Sequence, residues 1–170
     1  MKFLIFWRNR LKTKIYLDTS IPSAYFDNSK PVRQLITQKW FKNESENYKL
    51  YVSTLTLEEI NNLGNEEKRD NILDIIEKYD AVILDITKNI YDLSNEYMLK
   101  GAIPINEPED ALHIAVAVLN NIETLASWNF KHIVSVNPIR KIHEINQKSN
   151  LGLIEIGSLE LFGGYKYGNL

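Results

Sequence analysis

The sequence predicts an α/β fold with a central, mostly parallel five-stranded sheet. Short apolar runs alternate with longer stretches of helical periodicity, the pattern of parallel strands joined by crossover helices. The runs Ile15-Tyr16-Leu17 and Leu50-Tyr51-Val52 are continuously apolar, as buried strands are. Each is followed by hydroxyls and acids, and an open α/β sheet binds its ligands just outside the carboxyl ends of its strands.

Residues 14–18 are expected as the first strand. Residues 31–41 read as a helix, with Val32, Leu35, Ile36, Lys39 and Trp40 at helical spacing. Residues 50–53 are the second strand. Thr54 or Thr56 then caps a helix carrying Leu57, Ile60 and Leu63, which Gly64 stops. Residues 66–79 form a helix with Ile72, Leu73, Ile75 and Ile76 on its apolar side, and 81–84 the third strand. A helix over 87–100 ends at Lys100-Gly101, a loop spans 102–106, and a long apolar helix runs from Pro108 to about Asn120. Residues 124–127 are the fourth strand, 128–134 an irregular turn, 138–146 a short helix and 153–156 a fifth, edge strand. Residues 1–13 are expected as a partly ordered basic extension, 14–162 as one domain, and 163–170 as a fraying glycine- and tyrosine-rich tail.

A chain of 170 residues fits one domain with a sizeable core. A formal net charge of −2 gives no global basic field, so any nucleic-acid surface must be local. The absence of cysteine excludes disulfides and thiolate metal sites and fits a reducing compartment. The apolar stretch Phe3–Trp7 is too short to span a membrane. There is no glycine-rich phosphate loop, Gly-x-Ser-x-Gly elbow or zinc-ligand spacing, which argues against dinucleotide, nucleoside triphosphate, serine-hydrolase and zinc chemistry.

An acid or amide follows the first, second and fourth strands, and another acid opens the long apolar helix: Asp18, Glu58 or Glu59, Asn129 and Asp110. Taken singly, each has an ordinary role. Asp18 suits a cap, with Thr19 and Ser20 beside it. Glu58 and Glu59 favour a helix dipole and point about 100° apart, so only one of them reaches the strand ends. Asn106 suits the cap of the long helix, with Glu109 closing a capping box and Pro108 in the first turn, which leaves Asp110 free. Asn129 suits a turn. Taken together, four such groups converging on one sheet edge repel one another unless a cation sits among them, and hard oxygen donors fit Mg²⁺ or Mn²⁺. His113, on the buried helix, reads as a packed residue supporting this centre; His132 and His143 read as surface groups. Trp128 either stacks on a base or packs in the core. Lys131, Arg140 and Lys141 are candidate phosphate contacts.

Four motifs in this order resemble the PIN-domain family, the ribonuclease fold of many VapC-like toxins: Ile15-Tyr16-Leu17-Asp18-Thr19-Ser20, Ser53-Thr54-Leu55-Thr56-Leu57-Glu58-Glu59-Ile60, Asp110-Ala111-Leu112-His113-Ile114-Ala115-Val116-Ala117 and Ser127-Trp128-Asn129-Phe130-Lys131-His132-Ile133. The resemblance implies a three-layer α/β/α sandwich and a Mg²⁺- or Mn²⁺-dependent endoribonuclease. It implies that Asp18, Glu59 and Asp110 are metal ligands and that Asn129 occupies the family's fourth acidic position, where an amide offers an oxygen or orients a water but carries no charge. Thr19, Ser20, Ser127, Trp128 and Lys131 become substrate or supporting contacts. The expected partners are RNA, a small antitoxin of a type II toxin–antitoxin pair and a second copy of the chain, in the cytoplasm. The alternatives are an RNA-processing nuclease outside a toxin system, or a non-catalytic RNA- or protein-binding domain because of Asn129.

Overall fold

The computed structural model describes residues 12–163. The expected extension, apart from Lys12 and Thr13, and the tail from residue 164 lie outside the described residues.

Five parallel strands form one sheet in the order β3-β2-β1-β4-β5: β1 (Thr13–Leu17), β2 (Tyr48–Ser53), β3 (Val82–Leu84), β4 (Thr124–Ala126) and β5 (Glu155–Gly157). Both neighbours of β1 are in parallel register, with Ile15 opposite Leu50 on one side and Thr124 on the other. The chain leaves β1 toward β2 and later returns to its other side at β4. The gap between β1 and β4 is therefore the topological switch point, where open α/β sheets form clefts.

The helices are α1 (Ser20–Ala24), α2 (Pro31–Asn43), α3 (Thr54–Asn61), α4 (Glu66–Lys78), α5 (Lys88–Leu99), α6 (Pro108–Leu119), α7 (Val136–Lys148) and α8 (Leu159–Phe162). They cover both sheet faces. Strand side chains alternate between faces: Ile15 and Leu17 join Val52, Trp40, Phe41, Ile60 and Ile72 in one core, while Tyr16 joins Leu125, Tyr97, Ile114 and Ile145 in the other. The result is the expected three-layer sandwich. Within one helical layer α6 is buried along its length, with every residue from Ala111 to Val118 inside.

Several local expectations are corrected. Ser53, not Thr54 or Thr56, caps α3: its side chain faces the Thr56 backbone N–H while the Thr56 hydroxyl accepts from the Ser53 N–H, closing a capping box. Strand β2 therefore passes directly into α3. Asn106 does not cap α6; Glu107 holds the cap position, without a side-chain cap bond. Helix α2 turns Thr37, Trp40 and Phe41 inward and leaves Val32 and Leu35 exposed, because the aromatic pair fills more of the core than the aliphatic row at the helix start. Helix α7 is longer than expected. The short helices α1 and α8 lie beneath the resolution of periodicity, and α8 is tied to α2 by the Trp40 indole N–H and to the start of β2 by the Tyr48 hydroxyl, both donating to the Phe162 carbonyl.

The end of α5 sets up the approach to α6. Gly101 takes φ +69°; its N–H bonds to the Met98 carbonyl at 2.9 Å, and that of Ala102 to the Tyr97 carbonyl at 2.8 Å. This is a Schellman stop, which favours glycine because a Cβ crowds the left-handed backbone. The chain reverses there and packs α6 beside α5, delivering Asp110 to the switch-point edge.

Candidate metal-binding site at the sheet edge

Asp18 stands one residue past β1 and is 3% exposed. Its Oδ1 accepts from the Ser20 backbone N–H at 3.1 Å and the Ser20 hydroxyl at 2.5 Å; its Oδ2 accepts from the Ser127 hydroxyl at 2.5 Å. Oδ1 is thus saturated, whereas Oδ2 keeps a lone pair in reserve. The two serines are held in turn. Ser20 Oγ accepts from the Trp128 N–H at 2.8 Å, and Ser127 Oγ accepts from the Asn129 N–H at 2.9 Å. The turn after β4 is thereby stitched to the end of β1.

Asp110 lies in the first turn of α6. Its Oδ2 accepts from Asn129 Nδ2 at 2.9 Å and faces His132 Nδ1 at 3.1 Å. Asn129 Oδ1 is turned away and accepts from the backbone N–H groups of Lys131 at 3.2 Å and His132 at 3.0 Å. Those donors fix the amide's orientation, because only oxygen can face them. The expectation that Asn129 offers its carbonyl oxygen to a cation is corrected: that oxygen is committed to the backbone turn, and the Asn129 amide N–H occupies Asp110.

Glu59 faces the same edge from α3, while Glu58 is exposed. Its Oε2 accepts from the Thr19 hydroxyl and lies 3.0 Å from His113 Nε2. His113 Nδ1 is 2.7 Å from the Tyr16 hydroxyl, which is 2.7 Å from Ser53 Oγ. A buried relay, Ser53–Tyr16–His113–Glu59–Thr19, therefore fixes this acid.

The charges follow from the setting. Burial pushes the Asp18 carboxyl above its ordinary value; His113, Ser127 and Ser20 pull it back, and Asp110 adds to the push. Burial likewise raises Asp110 against the opposing pull of His132, His113 and Asn129. Burial opposes ionisation of Glu59 too, but the hydrogen bond and charge of His113, with the Thr19 hydroxyl, leave it below its ordinary value. His113 is the counterpart: burial alone would lower it, yet Tyr16, Glu59 and Asp18 raise it to about 10. Glu59 thus has an internal cationic partner. Asp18 and Asp110 each keep a cost of ionisation that their neighbours do not cancel, and Asp110 adds to that of Asp18; a divalent cation would relieve it. That donor set fits a hard cation.

The fold thus brings Asp18, Glu59, Asp110, Asn129, Thr19, Ser20 and Ser127 to one edge. Trp128 is not a stacking platform: it is 5% exposed and its indole N–H bonds to the Thr37 hydroxyl at 3.0 Å. Phe130 beside it is exposed, with the Arg33 guanidinium over both rings. Lys131 is exposed at the rim. Two residues were missed in the sequence. His132, expected as a surface group, lies against Asp110, and Glu107 approaches the same ring at 3.6 Å. The Asn129-x-x-His132 spacing was the available signal, since a turn closed by Asn129 brings its third successor back over the site.

The match to known proteins agrees with this geometry. The PIN domain family model matches residues 15–130, more than half of the chain, covering the first three motifs and the fourth as far as Phe130. Among solved structures, the sarcin–ricin-loop-cleaving toxin VapC20 of Mycobacterium tuberculosis superimposes with a TM-score of 0.56 at 16% identity, covering 69% of this chain and 92% of that one. VapBC2 of Rickettsia felis, solved bound to a DNA fragment from its promoter, gives 0.52 at 16% identity, covering 85% and 97%. At such identity these likenesses speak for the fold. No curated protein matches the chain in sequence. The chain belongs to the PIN domain family.

Proposed function

We propose that this protein is a VapC-like toxin: a Mg²⁺- or Mn²⁺-dependent endoribonuclease of the cytoplasm, restrained by a small antitoxin and working as a homodimer. The observation that carries the catalytic part is the pair Asp18 and Asp110, two sheltered carboxylates at the switch point, each raised by burial. The family match and the fold shared with VapC20 and VapBC2 support the toxin reading.

Asp18 Oδ2 and Asp110 would hold the cation. When bound, it lowers the pKa of a water ligand and polarises the scissile phosphate. The chain's own residues supply the rest. Ser20 and Ser127 keep Asp18 aimed at the cleft. The His113 relay keeps Glu59 ionised and fixed, so that it orients the attacking water. Water adds to phosphorus as the 3′ oxygen leaves, giving a 5′ phosphate and a 3′ hydroxyl. Lys131 at the rim meets the flanking phosphate. A cleft that must contact one strand closely favours unpaired RNA.

The test is cleavage of a structured RNA containing unpaired loops by the purified chain with Mn²⁺, beside Asp18→Asn and Asp110→Asn. Loss of cleavage in both variants, with folding intact, is expected. Cleavage equal to wild type in both overturns the reading. A second reading, a non-catalytic binding domain, is favoured by one observation, the engagement of Asn129 Oδ1 with the backbone; stoichiometric RNA binding without turnover would support it.

A further inference from the structure

We propose that His132 is a nitrogen ligand to a divalent cation, together with Asp110 and Glu107, and that the site therefore prefers a late transition metal to magnesium. The inference rests on the metal-dependent reading above and deepens it, naming a ligand and a metal class that the acid motifs do not.

Glu107, Asp110 and His132 come from the turn before α6, the first turn of α6 and the turn after β4. One donor atom from each lies within 4.8 Å of the other two. Ligands about 2.0–2.2 Å from one cation stand up to about 4.2 Å apart, so a small side-chain rotation closes the set. Nδ1 of His132 is 3.1 Å from Asp110 Oδ2 and 3.6 Å from Glu107 Oε1. The ring is 12% exposed, Asp110 16% and Glu107 32%. The group is sheltered, yet open on one side for a cation that keeps water ligands. Asn129 holds the ring in place: its side chain fixes the His132 backbone through Oδ1 and Asp110 through Nδ2. The amide at the fourth acidic position thus holds an imidazole beside Asp110.

The chemistry of the set decides the metal. The Nδ1 atom lies 3.1 Å from the Asp110 carboxylate. A neutral ring with its proton on Nε2 presents the Nδ1 lone pair. Imidazole nitrogen suits cobalt, nickel and zinc, with affinity rising along the first row from manganese, whereas magnesium prefers oxygen and gives up its waters reluctantly. Asp110 is common to this set and to the pair with Asp18, so a cation here sits within the proposed catalytic centre.

The experiment uses the untagged chain without RNA. Co²⁺ binding is followed by its visible absorption, and Mg²⁺ binding by competition calorimetry, for wild type, His132→Gln, Glu107→Gln and Asp110→Asn. Wild type is expected to bind Co²⁺ at least about tenfold more tightly than Mg²⁺. His132→Gln should weaken Co²⁺ by about tenfold or more while changing Mg²⁺ less than about twofold. Glu107→Gln should weaken both, and provides an independent check if His132→Gln disturbs the turn. Pulsed EPR of the Mn²⁺-loaded protein should show a directly bound nitrogen in wild type that His132→Gln lacks. Asp110-dependent binding with an unchanged Co²⁺-to-Mg²⁺ ratio in His132→Gln overturns the inference and leaves the metal-dependent reading intact. No binding of either metal by wild type overturns both.

Discussion

Replacing Asn129 with aspartate isolates what the amide does at the cleft. The two backbone donors that face Oδ1, from Lys131 and His132, keep an oxygen acceptor, so the turn survives. What changes is the 2.9 Å contact between Asn129 Nδ2 and Asp110 Oδ2: a donor becomes a second carboxylate oxygen. The lost hydrogen bond to a charged group is worth about 1.5–3 kcal/mol. Two carboxylates that relax to about 5 Å still repel by about 3 kcal/mol at an effective dielectric constant of about 20; His132 beside Asp110 offsets part of that. The metal-free variant is therefore expected to lose about 2–5 kcal/mol. At about 2–4 °C per kcal/mol for a chain of this size, its Tm falls by roughly 4–20 °C. A cation converts the repulsion into ligation. If the extra charge tightens Mn²⁺ tenfold, saturating metal adds about 1.4 kcal/mol more stabilisation in the variant than in wild type, or about 3–6 °C. The assay is thermal unfolding followed by circular dichroism, with EDTA and with Mn²⁺. A variant that melts within about 1 °C of wild type in EDTA, with the same increment on adding Mn²⁺, refutes the reasoning.

Other outcomes follow from the same structure. Because burial raises the Asp18 carboxyl, the metal-free fold holds that proton more tightly than the unfolded chain; stability should fall as pH rises from about 4 through the folded value, and Asp18→Asn should flatten that slope in EDTA melts. With Mn²⁺ at ten times its wild-type Kd, wild type gains about 1.4 kcal/mol and Asp18→Asn gains less, because it keeps only the Glu107, Asp110 and His132 donors. His113, raised from 6.5 to about 10, contributes stability that is complete below about pH 6.5 and is lost as pH climbs toward 10; His113→Gln should remove that loss in denaturant titrations across the same window. Tyr97→Phe strips the 2.6 Å donor from the buried Asn146 Oδ1 and should cost about 1–3 kcal/mol by urea unfolding. Gly101→Ala, at φ +69°, should cost about 1–2 kcal/mol without changing metal binding, since it strains the turn and touches no ligand.

The sequence by itself determined the five strands and the main helices to within a few residues, because continuous apolar runs and helical periodicity are local and the cores are formed by them. It also determined the acid set: Asp18, Glu59 and Asp110 sit at element ends whose position in an α/β sheet follows from chain order. Helix geometry left Glu58 and Glu59 open, and the resemblance to the PIN family chose Glu59, which the structure turns toward the strand ends while Glu58 is exposed. The short helices α1 and α8 escaped, since a single turn has no period to read. So did the inward face of α2, where which of two rows is buried depends on the neighbours Tyr48 and Phe162.

The site's chemistry was decided by tertiary structure alone. The contact of Ser20 with one Asp18 oxygen is local, but nothing near Asp18 in sequence reveals that Ser127 donates to the other. The role of Ser53 is double: it caps α3 and ends the relay through Tyr16 to His113. The sequence left open whether Asn129 serves a cation or a turn. The backbone donors of Lys131 and His132 settle that orientation, and by closing the turn they bring His132 onto Asp110. Hydrogen-bond direction and the meeting of side chains far apart in the chain depend on where the strands end relative to one another, which no local pattern encodes.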